Sequence, residues 1–143
     1  MPEPRRRRPI EIPGVHHGGA PFPLAVVVGD LLVSSAVHGM DPETGKVPGG
    51  LEDQAAGVFA NIRRILDAAG AGTGDIAKVT VFLAEGQSRE PVNTEWLAMF
   101  PDPDDRPVRH TVPSALPPSL LIQCEFLAVL PASTPAPSPQ EQP

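Results

Sequence analysis

The segment LEDQAAGVFANIRRILDAAG, residues 51–70, most constrains the fold, because it is one of only two segments that predict a helix. Its apolar side chains repeat at the 3.6-residue spacing of a single helix face. Acidic residues occupy its first turn, where the helix dipole favours anions, and Gly70 marks its end. A second helix is predicted to begin at a Ser88 cap and to run to Phe100.

The other periodic segments alternate apolar and polar side chains, which is typical of β-strands. Two strands flank the Gly29-Asp30 turn within residues 24–37, one strand covers 77–85, and two more lie within 105–130. This order predicts an α+β fold. Two helices cannot cover both faces of such a sheet, so we expect both on one face, with the other face against water or a second subunit.

The length of 143 residues is that of one domain with one hydrophobic core. Residues 1–20 are rich in proline and arginine, and we expect them to form a flexible tail. Residues 21–130 carry all the strong periodic patterns and form the predicted domain. Residues 131–143 are a proline-rich, low-complexity segment, which we expect to be disordered.

The charge balance argues against nucleic acid as a partner. The chain carries 17 acidic residues against 11 lysines and arginines, a formal net charge of −6. Four of the cations are the run Arg5–Arg8, so the predicted domain has too few to build a phosphate-binding patch. The arginine run could touch an acidic surface, but we favour a solvated tail.

The single cysteine, Cys124, allows no disulfide within the chain, which favours a reducing, cytoplasmic setting. We expect no membrane association, because no apolar run approaches the ~20 residues of a membrane span. The arginine run is not followed by an apolar segment, so we expect no secretory signal. Cys124 itself is predicted to face the core as a small apolar residue.

The last two strands contain charges that are costly to bury without a partner or a role, Arg109 and Glu125. We predict that SALPP closes an antiparallel hairpin between them, with Arg109 opposite Gln123 or Glu125 on the helix-free face. By alternation, Thr111 shares that face; His110 either lines the site with His38 or packs in the core, and we favour the core. Two interpretations stay open: Arg109 grips a ligand carboxylate in a subunit cleft, or it forms a structural pair with Glu125.

Several apolar residues are expected on the same helix-free face, namely Leu121, Leu127 and Val129. They are too apolar for a surface washed by water, and a subunit contact would cover them. The adjacent His16 and His17 could bind a metal, but loop histidines near a cleft are the simpler interpretation, and no metal site is predicted.

Several separated motifs in one order carry a family resemblance: GDLLVSSAVHGMDPETGKVPGG, NIRRILDAAGAGTGDIAKVTVFL, VNTEWLAMF and RPVRHTVPSALPPSLLIQCEFLAVL. Over residues 21–130 the chain resembles the RidA/YjgF family of imine deaminases. The resemblance implies a chorismate-mutase-like fold and a homotrimer, whose sheets form an inner barrel with ligand clefts between subunits. It also implies hydrolysis of enamines and imines, such as 2-aminoacrylate, to 2-keto acids and ammonia without a metal or organic cofactor.

The resemblance implies roles for individual residues. Arg109 matches an arginine that holds the substrate carboxylate, and Glu125 matches a glutamate that positions the attacking water. Ser35 and Asn93 match residues near the site. The remaining predicted substrate-binding positions depart from the family: Phe22 stands where tyrosine is common, Ala36 replaces a glycine, and Thr111 lies where cysteine is usual.

Because the lining is altered, alternatives to the small substrate remain. One is a deaminase of a larger imino or dienoic acid in a specialised pathway. Another is a non-catalytic trimer that binds a small carboxylate. A ribonuclease or translation inhibitor, labels also attached to this family, is disfavoured by the acidic domain.

Overall fold

The computed structural model of the protein describes residues 3–132. The described chain contains six strands and two helices longer than one turn, in the order β1 (Arg7–Ile10), β2 (Ala25–Val28), β3 (Leu31–Ser34), α1 (Leu51–Ala69), β4 (Ile76–Ala84), α2 (Glu90–Met99), β5 (Val108–Ser114) and β6 (Ile122–Val129). A short 3₁₀ turn, Thr73–Asp75, joins α1 to β4. Neither helix in this range is long and apolar enough to cross a membrane.

The strands form one mixed sheet in the order β1-β2-β3-β6-β4-β5. All neighbours are antiparallel except β4 and β5, which are parallel and connected through α2. Both helices pack on the same face, which buries the apolar stripes of helices and sheet against each other. The predicted α+β fold, with two helices on one face of a mixed sheet, is therefore confirmed.

Helix α1 follows the sequence pattern closely. It ends before Gly70, which adopts the left-handed conformation (φ 79°) expected of a helix C-cap. The N–H of Ala71 then donates to the carbonyl of Leu66 at 2.8 Å, which satisfies one of the last helical acceptors. Helix α2 begins one residue later than predicted: its N-cap is Arg89, not Ser88, and the Ser88 hydroxyl accepts the Glu90 N–H at 3.1 Å from the position before the cap.

The N-terminal segment differs from the expected flexible tail. Arg7–Ile10 forms an edge strand paired with β2. Ile10, Ile12 and Val15 are buried in the core, and their burial holds the segment against the domain. Met1, Pro2 and residues 133–143 lie outside the described residues, so the predicted disorder of the C-terminal tail stays a prediction.

The predicted hairpin between the last two strands is wrong. Among the described residues, β5 pairs with β4 alone, whereas β6 lies between β3 and β4. The physical reason is composition. Strand β6 is the more apolar and buries one complete side chain row, so it gains from two neighbours, whereas β5 contains Pro113, which has no N–H for a second ladder.

The loss of the hairpin also moves Arg109 to the other face. Arg109 is paired with Val79 of β4, whose side chain is fully buried beneath the helices. Thr80, on the opposite face, is flanked by His110 on one side and Glu125 on the other. The expected Arg109–Glu125 pair is therefore wrong, and so is the placement of His110 in the core, because His110 is exposed.

The helix-free face of the sheet is rich in exposed apolar side chains, as predicted for Leu127 and Val129. Leu31 pairs with Val129 and Val33 with Leu127, so the four side chains are adjacent across β3 and β6. They remain 36 to 46% exposed. We refer to these four residues as the open-face patch.

The loop after β3 is clamped to α1 by close backbone approach. A Cβ atom on Gly57 would lie 2.6 Å from the Gly39 carbonyl oxygen, so only glycine fits there. The buried Asn61 amide donates to the carbonyls of His38 and Met40 at 2.8 and 3.0 Å. Helix α1 thereby fixes the loop that follows the candidate residues Ser35 and Ala36.

Candidate functional site

Arg109 projects from β5 toward α2, where two side chains hold it. Its guanidinium donates to Asn93 Oδ1 at 2.8 Å and lies 5.1 Å from the centre of the Trp96 ring. Asn93 and Trp96 are three residues apart and therefore share one helix face. Amide and ring together orient the planar cation without neutralising it.

The electrostatic surroundings of Arg109 favour an added anion. Burial lowers the pKa of its guanidinium, and the positive charge of Arg89 acts in the same direction. Arginine remains charged at neutral pH despite this, and its five N–H donors exceed the one bond to Asn93. A carboxylate bound here would offset both the desolvation and the repulsion. Thr111, two residues along β5, lies on the same face and is half-buried.

Glu125 lies on the open face, beside a break in the β3–β6 ladder. The ladder is regular up to the pair Val33 and Leu127 and resumes at Val37 and Cys124. Residues 34–36 on one side therefore face only residues 125–126 on the other, which is a β-bulge. The bulge widens the sheet next to the Glu125 carboxylate.

Ser34 bridges this opening, because its hydroxyl accepts the Phe126 N–H at 2.9 Å in place of a ladder carbonyl. A cavity of about 220 Å³ lies beside it, lined in part by Ser34, Lys78, Thr80 and Glu125. The carboxylate thus has both a polar neighbourhood and room for a water-sized reactant. Ala36 lies half-buried within the bulge.

Ser35 and Phe22 belong to an adjoining, mostly apolar cavity of about 460 Å³. Val33 and Ser34 line both cavities, so the two adjoin at the bulge. Phe22 is 53% exposed at the cavity wall. The lining of this end of the site is mostly apolar, with Ser34 and Ser35 among its few polar residues.

The predicted site residues therefore form two groups within one chain. Ser35 and Ala36 lie at the bulge beside the strand of Glu125, and Phe22 lines the same cavity as Ser35. Arg109, Asn93 and Thr111 lie at the β5 edge and on the other face. Since neighbouring strands are about 4.8 Å apart, β5 is roughly 10 Å from β6 and roughly 14 Å from β3.

Two contacts of the first group were not predicted. Ser34 precedes the predicted site residue Ser35, but the hydrogen bond from the Phe126 N–H to its hydroxyl forms only because of the bulge. His17 is a loop histidine near a cleft, as predicted, and its Nε2 lies 2.8 Å from Ser35 Oγ, a contact that was not predicted. The only signal in the sequence was the adjacent His16-His17 pair. Among residues 3–132 no set of three or more His, Cys, Asp or Glu side chains is arranged to hold a metal ion.

Cys124 is fully buried beneath the bulge, on the helix side of β6, as predicted. Burial raises the pKa of its thiol to about 12, and the positive charge of Arg109 opposes that rise only in part. A thiol in that state is no nucleophile at neutral pH. Cys124 therefore contributes packing to the site and not chemistry.

The family model for Endoribonuclease L-PSP matches residues 17–130, a range that includes both groups of candidate residues. A 2-iminobutanoate/2-iminopropanoate deaminase of Escherichia coli (strain K12) is 33% identical over 111 residues, which are 76% of this chain and 87% of that enzyme. The protein belongs to the RidA/YjgF family. The family match confirms the resemblance inferred from the sequence motifs.

Solved structures of the RidA/YjgF family share the fold. The YjgF gene product of E. coli superimposes with a TM-score of 0.76 at 31% identity, over 85% of this chain and 98% of that one. E. coli TdcF, solved with bound serine, gives a TM-score of 0.76 at 29% identity over the same shares of the two chains, 85% and 98%. The topology described above is thus that of the RidA/YjgF family.

Proposed function

We propose that the protein hydrolyses reactive enamine and imine intermediates, 2-aminoacrylate and 2-imino acids, to 2-keto acids and ammonia. One observation carries the proposal: a half-buried guanidinium that is oriented by Asn93 and Trp96 but neutralised by neither. Such a group suits a carboxylate, which it can bind bidentately. The E. coli relative named as a 2-iminobutanoate/2-iminopropanoate deaminase supports the choice of substrate.

Glu125 is the proposed base. An imine carbon is electrophilic, above all when its nitrogen is protonated, so the reaction needs an anchored acid and a presented water. Glu125 lies beside a cavity that can hold that water. It would take a proton from the water as the C–O bond forms, which typically accelerates a reaction ~10²–10⁴-fold. This scheme calls on no metal or organic cofactor.

A homotrimer is the proposed working form. The open-face patch is apolar and exposed, which favours contact with another copy of the chain. Arg109 and Glu125 lie on opposite faces of one sheet, so a cleft between subunits can bring one chain's Arg109 to another chain's Glu125. The site would then be complete only in the assembly. The buried, unpaired Cys124 is compatible with a reducing cytoplasm, where we propose that the protein acts.

A larger 2-imino acid is a second candidate substrate. The apolar cavity next to Ser35 measures about 460 Å³, more than the side chain of 2-aminoacrylate needs. An aliphatic or aromatic side chain would bury its surface there at about 25 cal/mol per Å². Comparison of imines with small and large side chains separates the two candidates.

The test generates 2-iminopropanoate and imines with bulkier side chains in situ and follows keto-acid formation with and without the protein. We expect acceleration by the wild type and a loss on the order of 10²-fold in kcat/KM for Arg109→Ala, as for truncation of one partner of a buried charge pair. Arg63→Ala removes an exposed arginine from α1 and serves as the control.

Three outcomes are informative. No acceleration by the folded wild type contradicts the proposal, and keto-acid binding without acceleration supports a non-catalytic carboxylate-binding trimer instead. Full activity of Arg109→Ala excludes Arg109 as the anchor.

A further inference from the structure

A hydrogen bond joins two side chains that are 18 positions apart in the chain. Ser35 Oγ and His17 Nε2 are 2.8 Å apart, and both residues are half-buried. Ser35 also lines the apolar cavity of the candidate site. A cavity-lining serine whose hydroxyl contacts an imidazole nitrogen is an arrangement that can move a proton to or from a bound molecule.

The Ser35 hydroxyl is free to donate to His17. Its oxygen lies 3.0 Å from the Leu24 carbonyl, so its proton has two possible acceptors. The Leu24 carbonyl already accepts the Ser35 N–H at 2.9 Å. When the hydroxyl turns to His17, no buried acceptor is left unpaired, so the alternative carries little cost.

The surroundings of His17 favour its neutral form, which can accept that proton. Its ring packs against Phe22 at 5.1 Å and against the edge of His38 at 5.8 Å between ring centres. Burial lowers the pKa of His17; Glu11 opposes this effect, and His16 adds to it. His38 Nε2 lies 3.1 Å from the His16 carbonyl oxygen. Because a carbonyl can only accept a hydrogen bond, His38 is the donor in this contact. No titratable neighbour therefore competes for the Ser35 hydroxyl.

The pair adjoins the proposed chemistry. Ser34, the neighbour of Ser35, lines both the cavity of Glu125 and the apolar cavity. The two cavities therefore adjoin at Ser34, and a substrate that extends across the bulge would lie beside residues of both.

We propose that Ser35 and His17 form the proton-transfer pair for the second half of the deamination, in which the carbinolamine loses ammonia. Ser35 is the catalytic residue and His17 acts through it. Ser35 Oγ takes the proton of the carbinolamine O–H while its own proton moves to His17 Nε2. The O–H electron pair forms the C=O bond, the C–N bond breaks with its pair on nitrogen, and the imidazolium returns one proton through Ser35 to the departing amine.

The inference rests on the proposed function, and its test uses variants that separate proton transfer from packing. Glutamine can place an amide group near the position of Nε2 and bond to Ser35, but it does not titrate. We expect Ser35→Ala, His17→Ala and His17→Gln each to lower kcat on the order of 10²-fold, with KM changed by less than about threefold. His17→Gln with wild-type kcat overturns the proposal, because the role of His17 is then only structural.

His16→Asn is the matched control. His16 is exposed, and its Nδ1 accepts the Gly18 N–H at 3.0 Å, a bond that an asparagine side chain can also make. Unchanged kcat in this variant, beside a loss in His17→Gln, supports a specific role for His17. An equal loss in both variants attributes the effect to the loop and overturns the proposal.

A second readout does not depend on activity. The ¹⁵N chemical shift of His17 Nε2 in the wild-type protein at pH 7.5 reports whether that nitrogen carries a proton. We expect the shift of an unprotonated nitrogen that accepts a hydrogen bond, and a change in that shift in Ser35→Ala. A protonated Nε2 overturns the inference even if the enzyme is active. An unprotonated Nε2 in a protein that deaminates no imine would show that the hydrogen-bonded pair exists but would contradict both the proposed function and the role that rests on it, whereas a protonated Nε2 in an active enzyme contradicts the role alone.

Discussion

Arg109 and Glu125 lie on opposite faces of one sheet, with the whole of β4 between their strands. The two residues expected to grip and hydrolyse one small molecule therefore cannot reach it from a single chain. A second copy that brings its β5 edge to the bulge of the first would unite them. This relationship makes activity and assembly inseparable in the proposed mechanism.

Replacement of Glu125, the proposed base, tests the proton transfer and leaves Arg109, the proposed carboxylate anchor, unchanged. We expect Glu125→Gln to lower kcat ~10²–10⁴-fold and to leave KM nearly unchanged, because the amide can hold a water but cannot take its proton. Steady-state kinetics on 2-iminopropanoate provide the measurement. Glu85→Gln, at an exposed position after β4, is the control. Wild-type kcat in Glu125→Gln would exclude Glu125 as the base.

Asn93→Asp tests whether substrate binding requires that the positive charge of Arg109 is not neutralised within the chain. The new carboxylate would meet the guanidinium at the 2.8 Å now spanned to the amide oxygen and would neutralise it from within. We expect KM for imino acids to rise about tenfold or more, with no loss of thermal stability. Thr94→Asp adds the same charge at the next, exposed position of α2 and should leave KM unchanged. An unaltered KM in Asn93→Asp places the ligand carboxylate elsewhere.

A charge in the open-face patch tests the assembly. Leu127 is 38% exposed, so Leu127→Glu should not disturb the monomer fold but should oppose any interface formed by this face. We expect sedimentation velocity to show monomers in place of trimers, together with loss of deaminase activity. Leu97, on α2, is 52% exposed, and Leu97→Glu should keep the trimer. Trimers of Leu127→Glu would rule out this face as the contact.

Cys124 predicts how stability depends on pH. The folded protein retains the thiol proton up to a pKa of about 12, whereas an unfolded thiol loses it near ~8.5. The folded state therefore binds more protons in that interval, and the free energy of unfolding falls as pH rises, by up to ~1.4 kcal/mol per pH unit. Urea unfolding at pH 8 and 10 measures the slope, which should be shallower in Cys124→Ala. Equal slopes in the two proteins would mean that Cys124 does not titrate differently on folding.

Gly57→Ala tests the clamp between α1 and the loop after β3. Alanine in a helix interior normally stabilises by about 1 kcal/mol relative to glycine. Here the new Cβ would lie 2.6 Å from the Gly39 carbonyl oxygen, so we expect a loss of ~1–3 kcal/mol instead. Gly49→Ala, with no atom within 4 Å of its Cβ, should be near neutral in the same urea titration. Stabilisation by Gly57→Ala would contradict the close contact.

The sequence was sufficient where one element determines its own pattern. Helix α1 and the buried row of β6 follow from periodicity, because the spacing of apolar residues within an element shows which of its faces is buried. That spacing does not depend on which strand or helix packs beside the element. Strand pairing does not follow in this way. The proline-rich segment before β6 suggested a tight turn, but it carries the chain across β4, and Pro113 in β5 was the signal of an edge strand.

The candidate site was predictable residue by residue but not as a geometry. Alternation places Arg109 and Thr111 on a common face, yet it cannot say which face, and the assumed hairpin fixed the wrong one. The contact of His17 with Ser35 joins a loop to the end of β3 over 18 positions, and no local pattern encodes it. Long-range contacts of this kind depend on the bulge at residues 34–36, which adds one residue to a ladder.

A proline lies within each outermost strand of the sheet, Pro9 in β1 and Pro113 in β5. Each removes an N–H that an incoming strand would need, so neither border of the sheet is a good template for fibril growth. Open-ended polymers through the edge strands are therefore disfavoured even though the open-face patch exposes valine and leucine side chains.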